Sequence, residues 1–257
     1  MPDALADVGV FGGSGFYEFL DDAEVVDVTT PYGPPSSPLV VGSVGGRRVA
    51  FMPRHGSDHR HPPHRINFRA NVDVMRRAGV GALFGPCASG SLRLEVAPGH
   101  FVVVDQFVDR TWGRPDTFWD EGEPDHISLA EPYDERLRQV AIDACRAEGV
   151  TVHETGTTVV VQGPRFSSRA ESRWFARQGW EVVNMTQYPE VALANEARIP
   201  YASVALITDY DAGLEDHPDV ASVTQDEVFA VFRQNLEVLR RILFRAIEAV
   251  PDDLLPD

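Results

Sequence analysis

Short apolar runs alternate along the chain with stretches of helical periodicity, and polar or small residues follow most of the runs. Runs of this length are typical of buried strands. They predict strands at residues 8–11, 49–52, 82–84, 101–104, 157–161, 182–183 and 201–207. Periodicity and end signals predict helices at 67–78, 133–146, 168–179, 189–197 and 224 to about 250. Strands that alternate with helices predict an α/β fold, in which ligands bind at the carboxyl ends of the strands.

The composition is that of a soluble globular protein with a full core: 257 residues, 43 % hydrophobic, with a mean hydropathy of -0.19. The two cysteines, Cys87 and Cys145, are too few for a disulfide framework or a multi-cysteine zinc site. No apolar run approaches the ~20 residues that cross a bilayer. The acidic first residues lack the basic region of a signal peptide. We therefore expect one domain over residues 1–257, located in the cytoplasm.

The charge pattern limits both the partners and the chemistry. A net charge of -16 argues against nucleic acid and against an anionic membrane, so a small anion would need a local pocket of donors. All 23 basic residues are Arg, because the chain contains no Lys. Mechanisms that need a lysine, such as a Schiff base, a Walker lysine or a Tyr–Lys dehydrogenase pair, are therefore excluded.

Two strand ends carry residues suited to an oxyanion. The glycine-rich turn at 12–15 contains Ser14, and there backbone N–H groups and a hydroxyl can approach an anion. A plain tight turn or a dinucleotide loop fits the same residues. Arg54 and His55 follow the next buried run, where a guanidinium fork and an imidazole N–H can donate to phosphate. An Arg–His pair on the surface is the competing interpretation.

Two further strand ends complete the candidate site. Thr186 precedes a predicted helix, whose N-terminal donors favour an anion, although simple N-capping explains the same residue. Asp209 and Asp211 follow the run at 201–207, where a carboxylate can bind a metal, act as a general acid or face solvent. Metal is the least favoured of these, because no further ligands occur at a recognisable spacing. Donors beside an acid predict an oxyanion that attacks a substrate whose leaving group needs a proton.

Together these segments resemble the methylthioadenosine phosphorylases within the trimeric purine nucleoside phosphorylase family. The matching stretches, in the family's order over nearly the whole chain, are GVFGGSG (9–15), PRHG (53–56), ASGSL (88–92), DQFVDRT (105–111), GPRFSSRAES (163–172), NMT (184–186), PE (189–190) and TDYD (208–211). The resemblance implies a nucleoside phosphorylase-like fold, a single α/β domain with a central mixed β-sheet flanked by helices. It also implies a homotrimer, in which His59 and the last helix contribute to a neighbour's site.

The resemblance assigns residues to two substrates. It gives inorganic phosphate to Ser14, Arg54, His55, Cys87, Ala88 and Thr186. It gives the purine nucleoside to Phe166, Ser167, Met185, Asp209, Asp211 and Val223. Met185 would lie against the ribose, the two aspartates would face N7 and the exocyclic amine, and Val223 would lie near the 5′ substituent. Many relatives have Thr at the position of Cys87, and since a thiol is a poorer donor, backbone N–H groups would contribute more there.

The implied reaction is the phosphorolysis of S-methyl-5'-thioadenosine to adenine and 5-methylthioribose-1-phosphate, a pentosyl transfer of purine and methionine salvage. Phosphate would attack the anomeric carbon of the ribose through an oxocarbenium-like transition state. Asp209 would act as the general acid and deliver a proton to N7 of the departing purine. Because phosphate itself is the nucleophile, no covalent enzyme intermediate, metal or organic cofactor is implied.

Three other interpretations remain open from the sequence. A dehydrogenase fits the glycines at 9, 12 and 15, although the missing Lys removes its usual catalytic pair. A 6-oxopurine phosphorylase would share the phosphate site and differ at the base, where the resemblance associates Asn rather than Asp209 with inosine or guanosine. A binding module without activity would retain the fold alone.

Overall fold

The strands form two mixed sheets, with helices packed against them. The computed structural model describes residues 4–13, 20, 23–214, 217, 220 and 224–256. Within these residues the first sheet consists of β1 (Val8–Gly12), β2 (Glu24–Val26), β3 (Leu39–Val44), β4 (Arg47–Pro53), β5 (Ala82–Phe84) and β12 (Tyr201–Ala202), in the order β12-β5-β1-β4-β3-β2. From β12 to β4 neighbouring strands are parallel, and β3 and β2 are antiparallel to their neighbours.

The second sheet carries most of the candidate site. Its strands are β6 (Cys87–Ser91), β7 (Phe101–Val103), β8 (Gln106–Arg110), β9 (Val152–His153), β10 (Thr157–Val161), β11 (Val182–Asn184) and β13 (Val204–Tyr210), in the order β8-β10-β11-β6-β13-β7-β9. Strand β6 is antiparallel to β11 and parallel to β13. The predicted α/β class with mixed sheet and flanking helices is confirmed, with the strands divided between two sheets instead of one central sheet.

Five helices of the described residues follow the predicted positions: α1 (Phe68–Arg77), α2 (Glu135–Ala147), α3 (Arg169–Arg177), α4 (Gln187–Glu196) and α5 (Gln225–Glu248). Their ends have the expected chemistry. The Asn67 side chain caps α1 by accepting from the Ala70 N–H, and Ser168 and Glu171 form the predicted capping box of α3. Among the helices described, none combines the length and the apolar character that a bilayer crossing requires.

The chain crosses between the two sheets at two neighbouring points. β5 leads through Gly85 and Pro86 into β6, and β12 leads through Ser203 into β13, so the strand predicted at 201–207 is shared by both sheets. The Ser203 hydroxyl donates to the Gly85 carbonyl oxygen at 2.8 Å and ties the two crossings together. Strands that change sheets in this way make the corners of packed sheets. Arg54, directly after β4, donates from Nη1 to the Pro86 carbonyl oxygen at 2.8 Å, so this corner holds a side chain that lines the candidate site.

Candidate active site

A cavity of about 320 Å³ lies at the ends of β4, β10, β11 and β13 and along β6. Every predicted site residue that the structure describes lines it: Arg54, His55, Cys87, Ala88, Phe166, Ser167, Met185, Thr186, Asp209 and Asp211. Ser14 and Val223 lie outside the described residues. Along β6, Cys87 and Gly90 are three residues apart, or about 10 Å, which separates an end of the cavity near Arg54 from an end near Asp209.

Arg54 is fully buried and bound to a buried carboxylate. Its Nε donates to Oε2 of Glu190 at 2.8 Å and its Nη2 donates to Oε1 at 2.6 Å. Both side chains are inaccessible to solvent, at 0 % and 1 % exposure. Burial by itself lowers the pKa of Arg54, but the Glu190 carboxylate more than reverses this and raises that pKa. The guanidinium therefore stays charged inside the protein.

His55 is a neutral imidazole whose free nitrogen is an acceptor. Its Nδ1 lies 2.9 Å from the His61 carbonyl oxygen. A carbonyl oxygen only accepts, so Nδ1 carries the proton and Nε2 of the neutral ring carries a lone pair. Burial lowers the pKa of His55 to about 3, although the bond to His61 opposes that shift. The prediction that His55 donates to phosphate is corrected, because Nδ1 donates to His61 and the neutral ring accepts at Nε2.

His59 lies in the cavity of its own chain, where its ring stacks on that of His55 with the centroids 4.5 Å apart. Its edge contact with Phe229 of α5 has a centroid distance of 5.8 Å. The contribution of His59 to a neighbouring subunit's site, which the resemblance implies, stays a prediction.

The Asn184 side chain binds the backbone of Thr186, so the Thr186 N–H is not available to an anion. The Asn184 Oδ1 accepts from the backbone N–H groups of Thr186 at 2.7 Å and Gln187 at 2.8 Å, while its Nδ2 donates to the Ala88 carbonyl oxygen at 3.0 Å. These backbone donors at the start of α4 are therefore already satisfied, and Asn184 makes the cap that was considered for Thr186. The Thr186 hydroxyl, with a long 3.4 Å contact to Asn184 Oδ1, is the group that lines the cavity.

The thiol of Cys87 is buried against two hydroxyl groups. Its Sγ lies 3.5 Å from Oγ of Ser89 and 3.8 Å from Oγ of Ser203. Burial raises the pKa of Cys87, so the sulfur stays protonated at neutral pH. The thiol is thus tied to the corner between the sheets, which agrees with its expected weakness as a donor to phosphate.

Asp209 belongs to β13 itself, since the strand continues beyond the predicted end at residue 207 to Tyr210. The pairing of β13 with β6 shifts register between Ile207 and Asp209, and such a bulge turns a side chain to a new direction. The Asp209 Oδ1 accepts from the Thr208 hydroxyl at 2.7 Å. Its Oδ2 lies against Gly90, 3.0 Å from the place of a Cβ atom on that residue.

Asp211 and Ser167 bring two unsatisfied polar atoms to the same end of the cavity. Asp211 is 2 % exposed and Ser167 is 9 % exposed. In the described part of the chain, Oδ2 of Asp211 and Oγ of Ser167 are buried without a hydrogen-bond partner. Buried polar atoms are rarely left in this state, so this end of the cavity fits a ligand with a polar edge. Burial also raises the pKa of Asp211 above its ordinary value.

Arg114 joins the two segments that flank this end. Its Nη1 donates to the Met185 carbonyl oxygen at 2.9 Å and its Nη2 donates to the Gln162 carbonyl oxygen at 2.9 Å. Gln162 leads into the loop that carries Phe166, whose ring lines the cavity and is 36 % exposed. Burial lowers the pKa of Arg114 to about 10, so it remains a cation at neutral pH.

Most residues that line the cavity with polar groups were predicted from the sequence, whereas the residues that hold them in place were not. Glu190 and Asn184 lie in motifs of the family resemblance, which gives neither of them a role, and no sequence pattern marks Arg114. The apolar part of the lining, which includes Pro62, Pro63, Val228 and Phe229, gave no chemical signal. Within the described ranges, no three His, Cys, Asp or Glu side chains are grouped so that they can hold a metal ion.

Comparison with known proteins identifies close relatives. A sequence model of the phosphorylase superfamily matches residues 7–248. The chain is 51 % identical over 254 residues to a purine nucleoside phosphorylase of Streptomyces coelicolor, with 96 % of this chain and 90 % of that protein covered. It is 52 % identical over 244 residues to an S-methyl-5'-thioadenosine phosphorylase of Mycolicibacterium smegmatis, with 95 % and 91 % covered.

A solved structure shares the architecture. The methylthioadenosine phosphorylase from Schistosoma mansoni in complex with adenine superposes with a TM-score of 0.89 at 39 % sequence identity. The match covers 94 % of this chain and 91 % of that one. Sequence and fold therefore agree over nearly the same part of the chain.

Proposed function

The chain belongs to the phosphorylase superfamily, and from this we propose that it cleaves S-methyl-5'-thioadenosine with inorganic phosphate to adenine and 5-methylthioribose-1-phosphate. It is a pentosyltransferase of purine and methionine salvage. The observation that carries the proposal is a single cavity with a buried, charged guanidinium at one end and two carboxyl groups at the other. This arrangement suits an anionic nucleophile and a leaving group that takes up a proton.

At the first end, phosphate is bound by Arg54, His55 and Thr186, with Ser14, Cys87 and Ala88 completing the proposed set. Arg54 and the Thr186 hydroxyl donate hydrogen bonds to phosphate oxygens. The His55 Nε2 accepts, so phosphate binds with one of its own protons directed at that nitrogen. A phosphate oxygen then attacks the anomeric carbon, and the phosphate charge stabilises the oxocarbenium-like transition state.

At the second end, Asp209 acts as the general acid and protonates N7 as the bond to the purine breaks. Asp211 and Ser167 take the exocyclic amine edge, which would satisfy the two buried polar atoms found there. The exposed ring of Phe166 packs beside the purine, and Met185 lies against the ribose. These roles are the ones that the family resemblance implies, and they are supported by the position of all these residues in the lining of one cavity.

The rest of the cavity suits an apolar 5′ group. Pro62, Val228 and Phe229 line it beside the His59 ring, without a charged group among them. A methylthio group buries more apolar surface than a hydroxyl, and each buried methylene-sized group contributes about 0.8 kcal/mol. This wall therefore supports a 5′-methylthio nucleoside over one with a 5′-hydroxyl. Val223 is also proposed to lie near this group.

A 6-oxopurine nucleoside is the second candidate substrate, because the Streptomyces coelicolor relative is named a purine nucleoside phosphorylase. A panel of methylthioadenosine, adenosine and inosine, each assayed with phosphate by release of the free base, separates the two. We expect the highest kcat/KM for methylthioadenosine. A higher value for inosine would assign the chain to the second candidate.

We further propose that residues 1–257 form a single domain and that the protein is a cytoplasmic homotrimer without a metal or organic cofactor. No nucleic acid or membrane partner is proposed, in keeping with the net charge of -16. Light scattering on the active protein tests the assembly: a mass of three chains is expected, and a fully active monomer would contradict it.

A further inference from the structure

Glu190 has more bonds than an ordinary ion-pair partner. Its Oε1 accepts from Arg54 Nη2 at 2.6 Å and from the Tyr201 hydroxyl at 2.7 Å, and its Oε2 accepts from Arg54 Nε at 2.8 Å. Among the described residues, Glu190 and Tyr201 do not line the cavity, whereas Arg54 does. Glu190 therefore contacts the cavity only through Arg54.

The position of Arg54 is fixed from several directions. Nε and Nη2 are held by Glu190, and Nη1 donates to the Pro86 carbonyl oxygen at 2.8 Å. A guanidinium has five N–H groups, so these bonds leave about two for a ligand. Since Arg54 lines the cavity from a fully buried position, the remaining donors have a fixed direction.

The corner between the sheets is shaped around this network. A Cβ atom on Gly85 would lie 1.8 Å from the Tyr201 hydroxyl oxygen and 2.6 Å from Oε1 of Glu190. Only glycine leaves room there, because neither buried side chain can move aside. The Gln187 amide donates to the Gly85 carbonyl oxygen at 3.0 Å, which joins α4 to the same corner.

The Arg54 end of the cavity carries little net charge, which affects how an anion can bind there. Of the described residues that line the cavity, Arg54 is the one Arg, and Glu190 balances its charge. His55 and His59 both have pKa values lowered chiefly by burial. The first end of the cavity is therefore close to electrically neutral, and an anion bound there depends on directed hydrogen bonds more than on net charge.

We propose that Glu190 is a positioning residue for phosphate: it holds Arg54 in the pose that directs the remaining guanidinium donors at the nucleophile. The inference rests on the proposed function, because it takes this end of the cavity as the phosphate site. Because Glu190 contacts the site only through Arg54, its loss should weaken the binding of phosphate and leave the binding of the nucleoside unchanged. A carboxylate that served folding alone would not make this distinction.

The test compares Glu190→Gln, Glu190→Asp and a control, Asp73→Asn. Gln keeps the size of the side chain but removes the charge and one acceptor, while Asp keeps the charge on a shorter stem. Asp73 is the matched control, because it is a buried carboxylate that pairs with Arg76 and Arg77 on α1 and does not line the cavity. For each protein, KM and kcat are measured with phosphate and with nucleoside as the varied substrate. The shift in Tm caused by inorganic phosphate is measured as well.

We expect Glu190→Gln to raise KM for phosphate by about tenfold or more and to keep KM for the nucleoside within about twofold. The phosphate-induced Tm shift should shrink in parallel, Glu190→Asp should recover part of both effects, and Asp73→Asn should show neither. If Glu190→Gln does not fold, Glu190→Asp provides the same comparison. An unchanged or lower KM for phosphate, or an equal rise in both KM values, would overturn the proposal.

The two proposals fail in different ways. If the wild-type protein releases no base from any nucleoside, the proposed function fails, and the phosphate-induced Tm shift still tests the role of Glu190. If base release is normal but Glu190→Gln leaves that shift unchanged, the positioning role fails while the proposed function stands.

Discussion

The Oδ2 oxygen of Asp209 lies against Gly90, so close that a Cβ atom on Gly90 would be 3.0 Å from it and 3.1 Å from Cγ1 of Val183. Val183 is buried in a strand and cannot yield easily. A methyl group at Gly90 would therefore push the carboxylate aside. Because Gly90 has no side chain, the carboxylate of Asp209, the proposed acid, can occupy this position.

We expect Gly90→Ala to lower kcat for methylthioadenosine by about tenfold or more, because small misplacements of a reacting group are costly. KM for phosphate should stay within about twofold, since the phosphate end is about 10 Å away along β6. Steady-state kinetics with each substrate varied in turn measure both. An enzyme with wild-type kcat would show that the position of Asp209 does not matter for turnover.

We expect the choice of base to depend on the two carboxyl groups, those of Asp209 and Asp211. Asp209→Asn should sharply reduce methylthioadenosine cleavage, because an amide cannot act as the acid. It should also narrow the preference over inosine, which we expect to be about ten- to a hundredfold in the wild type, because an amide can donate to a carbonyl. The matched variant Asp211→Asn should raise KM for the nucleoside more than it lowers kcat. If the two variants exchange these effects, Asp211, whose pKa burial raises, is the acid instead.

We expect Arg114 to contribute to the binding of the nucleoside and not to the binding of phosphate. Its guanidinium reaches the carbonyl oxygens of Gln162 and Met185, and a lysine ammonium cannot span both. We expect Arg114→Lys to raise KM for methylthioadenosine by about tenfold and to keep KM for phosphate within about twofold. Arg136→Lys, at an exposed arginine that pairs with Asp253, is the control and should change neither. A selective effect on phosphate would contradict the role assigned to Arg114.

His55 should make the folded state sensitive to acid. Burial holds its pKa at about 3, below the value of about 6.5 in an unfolded chain. Above about pH 6.5 the His55 ring is neutral in both the folded and the unfolded state, and it takes nothing from the unfolding free energy. As the pH falls toward 3, only the unfolded state takes up the proton, so the folded state loses stability. This single group should cost about 1.4 kcal/mol of unfolding free energy per pH unit in that window.

Urea unfolding between about pH 4 and pH 7 measures this slope. His55→Asn retains an N–H that can donate to the His61 carbonyl oxygen but has no proton to gain, so its stability should fall less steeply with acid. The other histidines are present in both proteins and drop out of the comparison. Parallel pH profiles for the two proteins would show that His55 is not buried as a neutral ring.

The sequence predicted the helices and most of the apolar strands, including the three-residue strands β5, β7 and β11, but it missed other strands. β1, β4 and β10 are apolar runs with clear ends, and they were found where predicted. β6 consists of small residues without alternation, so no local pattern marks it; pairing with β11 and β13 makes it a strand. The division of the run at 201–207 between two sheets is likewise a tertiary effect, because its composition does not change at Ser203.

The residues that line the site were predictable because anion donors and acids are chemically distinctive. The groups that position these residues were not predictable. Glu190 acts through Arg54 from a distance of 136 positions along the chain, and no local spacing predicts that pair. The protonation of His55 at Nδ1 depends on the His61 carbonyl, which only the folded backbone brings within reach. Sequence thus indicates the reacting groups, while folding determines which nitrogen carries a proton and where a cation points.

The most direct test of the central claim is the fate of phosphorus during base release. Methylthioadenosine is incubated with the protein with and without inorganic phosphate, adenine is quantified, and sugar phosphate is followed by phosphorus NMR. We expect one equivalent of 5-methylthioribose-1-phosphate for each adenine released, and no adenine when phosphate is omitted. Equal adenine release in phosphate-free buffer, with free methylthioribose as the second product, would show a hydrolase and contradict the account.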